Sequence, residues 1–133
     1  MHLIIDGYSS EPQILQDERF LYQWLDSYPS KIGMTKISSP FIFRYLGSRP
    51  EDRGISGFVF IAESHISLHT FVERCYVNID VFSCRDFNAQ QVINDLKEKF
   101  RLTKLKSYLI DREWVAPCSV SPSKVVEFYP NEE

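Results

Sequence analysis

Between Gly54 and Cys84 the chain reads GISGFVFIAESHISLHTFVERCYVNIDVFSC, strand-forming sequence broken only by short polar interruptions. Strands linked this tightly must turn back on themselves, because parallel neighbours need a crossover of a dozen residues or more. ISGFVFIA reads as one strand. ISLHTFVERCYVNIDVFSC alternates over β-branched and aromatic residues, with a polar break at Glu73 and Arg74, and reads as a hairpin. One stretch departs from the pattern. AESHISLH, residues 62–69, sets Glu63, Ser64, His65, Ser67 and His69 directly after an apolar strand and holds two of the three histidines.

The rest of the chain supplies cover for such a sheet. Residues 2–8 read as a first strand ending at SSEP, and TKISSPFIFRYL as a second over 36–46, interrupted at Pro40. GSRPEDRG is a polar loop dense in turn formers. Phe20, Leu21, Trp24, Leu25 and Tyr28 recur at helical spacing and predict an amphipathic helix over 17–31. Val92, Ile93, Leu96 and Phe100 predict a second over 87–101 with Asp86 as N-cap. KLKSYLIDREW reads as a last strand, and from Ala116 Pro, Ser and Glu predict a loose tail. The expectation is one α+β domain over 1–115, helices covering one face of an antiparallel sheet, with 116–133 as its C-terminal tail.

Composition removes several function classes. At 44% apolar and 25% charged residues with net charge −3, the chain is an ordinary globular one. Its basic residues are scattered, so no nucleic-acid footprint forms. No stretch approaches the roughly 18 apolar residues of a membrane span. The opening MHLIIDGY reads as a strand and lacks the features of a signal peptide. Cys75, Cys84 and Cys118 have no paired spacing, which fits reduced thiols in a cytoplasmic protein.

A hairpin turn centred on Arg74 pairs residues whose numbers sum to about 148. That sets Ser64 near Cys84 with His69 farther along, a hydroxyl, a thiol and an imidazole in one neighbourhood. Ser64 and His69 lie five apart, so a regular strand points them to opposite faces, and cooperation between them requires a bulge or turn. Three other readings stand beside catalysis. His65, His69 and Cys84 are zinc-ligand types, but four residues of strand separate the two imidazoles by about 13 Å. Ser64 as a hydrolase nucleophile lacks a G-x-S-x-G elbow. The third reading is a solvated hairpin, with Cys84 a small core residue.

ESHISLHTFVE followed by CYVNIDVFSC resembles the core of the prokaryotic S-adenosylmethionine decarboxylase proenzymes, a pyruvoyl-dependent family. Their E-S-H-x-[ST]-x-H-T motif, the acidic residue after it and a D-[VL]-F-[TS]-C segment are matched by Ser64, His69, Glu73, Asp80 and Cys84. GISG and HLIIDGY also resemble family segments, and the likeness covers about residues 2–112. It implies a two-layer sandwich of that family's type and self-cleavage between Glu63 and Ser64. Ser64 would become the pyruvoyl group, the cofactor made from the chain itself, which binds the amino-acid substrate as a Schiff base. His69 would be the processing base, Cys84 the proton donor in decarboxylation, and Ser56 an aid to processing or positioning. Glu73 would meet the substrate ribose, and Tyr45, Phe71 and Phe82 are candidates for its adenine and sulfonium. No metal or external cofactor is implied. The product would be the aminopropyl donor for spermidine synthesis, and the assembly a homodimer of processed pairs with active sites where protomers meet.

The chain also departs from the family. Phe71 and Val72 stand where a Trp-Pro pair is common, Arg85 follows the cysteine where Gly is frequent, and LGSRPEDRG is long. These changes touch the pocket and leave Ser64, His69 and Cys84 in place. The alternatives are a pyruvoyl-dependent ornithine or arginine decarboxylase on the same scaffold, and an unprocessed, non-catalytic partner subunit.

Overall fold

The computed structural model describes residues 1–111 and the backbone of 124–128. In chain order the elements are β1 (His2–Ser9), α1 (Glu18–Lys31), β2 (Phe41–Tyr45), β3 (Gly54–Ile61), β4 (Ser64–Phe71), β5 (Tyr76–Ser83), α2 (Ala89–Lys99), β6 (Leu102–Asp111) and β7 (Lys124–Phe128). The strands form one sheet in the order β2-β3-β4-β5-β1-β6-β7, antiparallel at every pairing. This is the expected α+β architecture, with hairpins joining β3 to β4 and β4 to β5. No helix among the described residues is long and apolar enough to cross a membrane.

Alternation along each strand sends one set of side chains under the helices. Leu3, Ile5, Ile55, Val59, Ile66, Leu68, Val77, Ile79 and Val81 are buried on that face. Against them α1 sets Leu21, Trp24, Leu25 and Tyr28, the spacing read from the sequence, and α2 sets Val92, Ile93 and Leu96. Backbone crowds Gly54, where an added Cβ would lie 1.7 Å from the Thr70 carbonyl oxygen. Only glycine lets β3 enter the sheet there, and this fixes the register of Ser56 opposite His69. The other face of the sheet carries no helix. Phe41, Phe43 and Tyr45 from β2, Ser56, Phe58 and Phe60 from β3, and His65, Ser67 and His69 from β4 share it. Phe43 is 63% exposed there.

Four expectations change in detail. The N-cap of α2 is Asn88, whose side chain accepts the Gln91 N–H at 3.0 Å; Asp86 lies before it, because Phe87 is buried and the helix starts after it. Pro40 ends the irregular lead-in to β2, leaving a single bridge between Lys36 and Ile61. In place of a tail without regular structure, KVVEF forms β7, whose backbone pairs with 107–111 of β6. Its paired β-branched valines and its phenylalanine outweigh the polar composition around it. The remaining tail, and residues 112–114 of the strand predicted from KLKSYLIDREW, lie outside the described residues. Finally, Ser64 faces Ser83, one residue short of Cys84.

Candidate active site

The β3–β4 hairpin closes at the Ile61–Ser64 pair, leaving Ala62 and Glu63 as its two-residue turn. Such turns ordinarily rely on Gly or Asn at positive φ to match the strand twist. Neither turn residue here has positive φ; Ser64 does instead, at φ +155°. An L-residue held in a Gly-favoured conformation stores of order 1–3 kcal/mol, and persists only where its surroundings determine it.

Those surroundings are specific. The Ala62 N–H donates to the Thr35 carbonyl at 2.8 Å, and the Thr35 N–H donates to both Glu63 carboxylate oxygens at 3.2 Å. The Cys84 N–H donates to the Glu63 carbonyl oxygen at 2.8 Å. Glu63 is only 7% exposed, and the Arg85 guanidinium stands 3.7 Å from its carboxylate. Arg85 is itself anchored by Ser83, whose Oγ accepts the Arg85 N–H at 3.0 Å and donates to the Arg85 carbonyl at 2.8 Å. The peptide bond between Glu63 and Ser64 is therefore gripped from two connections, the one after α1 and the one after β5. Cys84, whose backbone makes the contact to the Glu63 carbonyl, is an exposed residue with a free thiol.

A second cluster lies toward the other end of β4. Ser56 Oγ and His69 Nδ1 are hydrogen-bonded at 2.8 Å on the helix-free face. Near them, Phe71 ends β4 with its ring 6.0 Å from Tyr76 and the Arg74 guanidinium 5.6 Å above it. Tyr45 ends β2 opposite Gly54, and Glu73 sits in the 3-10 turn Val72–Arg74. Phe82 belongs to the first cluster, stacked on His65 at 5.2 Å.

The predicted residues thus fall into two groups, and the bulge expected between Ser64 and His69 is absent. The β4–β5 register runs without a shift from Ser64–Ser83 to Phe71–Tyr76. Five residues along β4 separate Ser64 from His69 by about 16 Å. Sequence reasoning missed Thr35 and Ser83. Thr35 lies 28 positions from the glutamate it holds, and no local pattern marks it. Among the described residues no group of three His, Cys, Asp or Glu side chains converges as a metal site.

Comparison with known proteins bears on these clusters. A profile of the S-adenosylmethionine decarboxylase family matches residues 1–113. An S-adenosylmethionine decarboxylase proenzyme of Archaeoglobus fulgidus is 29% identical over 112 residues, 84% of this chain and 95% of that one. The proenzyme of a Synechococcus species is 34% identical over 111 residues, 81% and 82% of the two chains. In architecture the chain is similar to the crystal structure of an adenosylmethionine decarboxylase from Aquifex aeolicus, with a TM-score of 0.69 at 20% identity over 91% and 95% of the chains.

Proposed function

The chain belongs to the S-adenosylmethionine decarboxylase family, and on that premise we propose that it cuts its own backbone between Glu63 and Ser64 and converts Ser64 into a pyruvoyl group. It is a carboxy-lyase of S-adenosylmethionine made as a proenzyme, as its relatives are. The observation that carries the cleavage assignment is the 2.8 Å hydrogen bond from the Cys84 N–H to the Glu63 carbonyl oxygen. A donor fixed there stabilises negative charge as it develops on that oxygen when the carbonyl is attacked.

Processing then follows from the chain's own atoms. Ser64 Oγ attacks the Glu63 carbonyl carbon, the C–N bond breaks, and an ester replaces the amide. The positive φ of Ser64 favours this step, since opening the bond releases the constraint on its backbone. A base removes the Ser64 α-proton, the Cβ–Oγ bond breaks, and the electron pair leaves with the Glu63 carboxylate. The dehydroalanine left at 64 takes up water and releases ammonia. The resulting pyruvoyl group supplies an electron sink for loss of carbon dioxide from an α-amino acid.

His69, the proposed base, is about 16 Å from Ser64 along the unshifted β4–β5 register. It cannot serve the serine of its own chain. We assign it to the serine of a second copy, docked through the helix-free sheet face on which Ser56, His69 and the exposed Phe43, Tyr45 and Phe60 lie. In that homodimer Ser64, Cys84 and Phe82 come from one copy, and His69, Phe71, Glu73 and Tyr45 from the other. Glu73 then takes the ribose hydroxyls, and the aromatic rings take the adenine and the sulfonium. Cys84 donates the proton that replaces carbon dioxide, which requires a reduced thiol and hence the cytoplasm.

Carbon dioxide release from S-adenosylmethionine, ornithine and arginine, measured in parallel, tests the substrate assignment. Turnover of S-adenosylmethionine is expected; turnover of a basic amino acid alone contradicts it. In the same assay Cys84→Ala is expected to remain self-cleaving, because its backbone N–H persists, while turnover falls by about a hundredfold or more. A fully active Cys84→Ala enzyme removes the cysteine from the proton-donor role.

A further inference from the structure

Arg85 stands at the scissile turn. Its Nη1 lies 3.7 Å from the Glu63 carboxylate, and among the described residues this is the ion pair Glu63 makes. The two partners are unlike: the Glu63 side chain is 6% exposed and that of Arg85 65%. A buried carboxylate needs compensation, and one backbone N–H from Thr35 shared between its two oxygens is modest provision. Arg85 is also placed with care. Ser83 Oγ pins both its N–H and its C=O, so the guanidinium projects from a fixed backbone one residue beyond the N–H that holds the Glu63 carbonyl.

The charge count changes during self-cleavage. Before it, Glu63 carries one negative charge, on its side chain. Elimination breaks the Cβ–Oγ bond of Ser64 and leaves a second, the new α-carboxylate of the same residue. Two anions on one largely buried residue repel each other, and the nearby cation is Arg85. We infer that Arg85 is a positioning residue for self-cleavage: through the Glu63 carboxylate it holds the turn in the attack geometry, and it offsets the charge of the departing carboxylate. The inference rests on cleavage at Glu63–Ser64 and goes beyond it, since that reading assigns Arg85 nothing.

The test follows self-cleavage of the full chain after cell-free translation is stopped, by the disappearance of the intact species. Arg85→Ala is expected to slow cleavage about fivefold, the upper range for a solvent-screened pair. Arg85→Lys, which restores the charge, recovers most of the rate, and Arg85→Gln, which restores bulk without charge, does not. In the uncleavable Ser64→Ala background, Arg85→Ala leaves the melting temperature within about 3 °C, separating charge placement from stability. Wild-type cleavage rates in Arg85→Ala, or recovery by Gln equal to that by Lys, overturn the inference. Normal cleavage with lost turnover also overturns it, and moves Arg85 to the substrate. Failure of the unaltered chain to cleave overturns instead the self-cleavage reading on which it rests.

Discussion

Ser64→Ala leaves one chain of 133 residues with no decarboxylase activity. Alanine has no Oγ to receive the Glu63 acyl group, no Cβ substituent to leave in the elimination, and so no route to a keto group at 64. The loss is complete because each step consumes an atom the substitution removes. The fold should survive it. Ser64 is half-buried at the first position of β4 and its side chain is not part of the core, so the stability change is expected within about 0.5 kcal/mol. Near-ultraviolet circular dichroism of the purified variant checks the fold, and intact mass checks the cleavage. A cleaved Ser64→Ala chain contradicts the proposed chemistry at its first step.

The second large effect separates cleavage within one chain from cleavage across two. His69→Ala alone remains uncut, since the base for α-proton removal is gone. Co-expressed with Ser64→Ala, it is expected to be cut. A mixed dimer joins the Ser64 of the His69→Ala chain to the His69 of the Ser64→Ala chain, making one complete site and one site lacking both. Only the His69→Ala chain has the serine, so only it yields fragments, and a mass tag on either chain identifies the source. The prediction follows from the unshifted β4–β5 register, which holds the two residues about 16 Å apart in each copy. A mixture in which neither chain is cut contradicts the two-copy site.

Much of this fold was legible because its determinants are local. Leu21, Trp24, Leu25 and Tyr28 mark the buried face of α1 by spacing alone, and the alternation through β4 and β5 forces the hairpin. What escaped depends on turn geometry and tertiary contact. The expected β4–β5 register was off by one because the turn holds four residues, Val72 to Cys75, with Cys75 in the left-handed conformation at φ 54°. The motif could name Ser64, His69 and Cys84 but not that the sheet separates the first two. A bulge would have been the local solution, and no residue of β4 provides one. Thr35 and Arg85 converge on Glu63 from connections distant in sequence, and periodicity carries no trace of such contacts. The strand at 124–128 was obscured by the Pro, Ser and Glu around it.

The central claim is that the chain cuts itself between Glu63 and Ser64, and the intact mass of the purified, unaltered protein tests it most directly. The predicted result is two species in equal amount. One is residues 1–63 with a free carboxylate; the other begins at position 64 and is lighter, by one ammonia, than a fragment beginning with serine. A single species at the full 15.6 kDa contradicts the account.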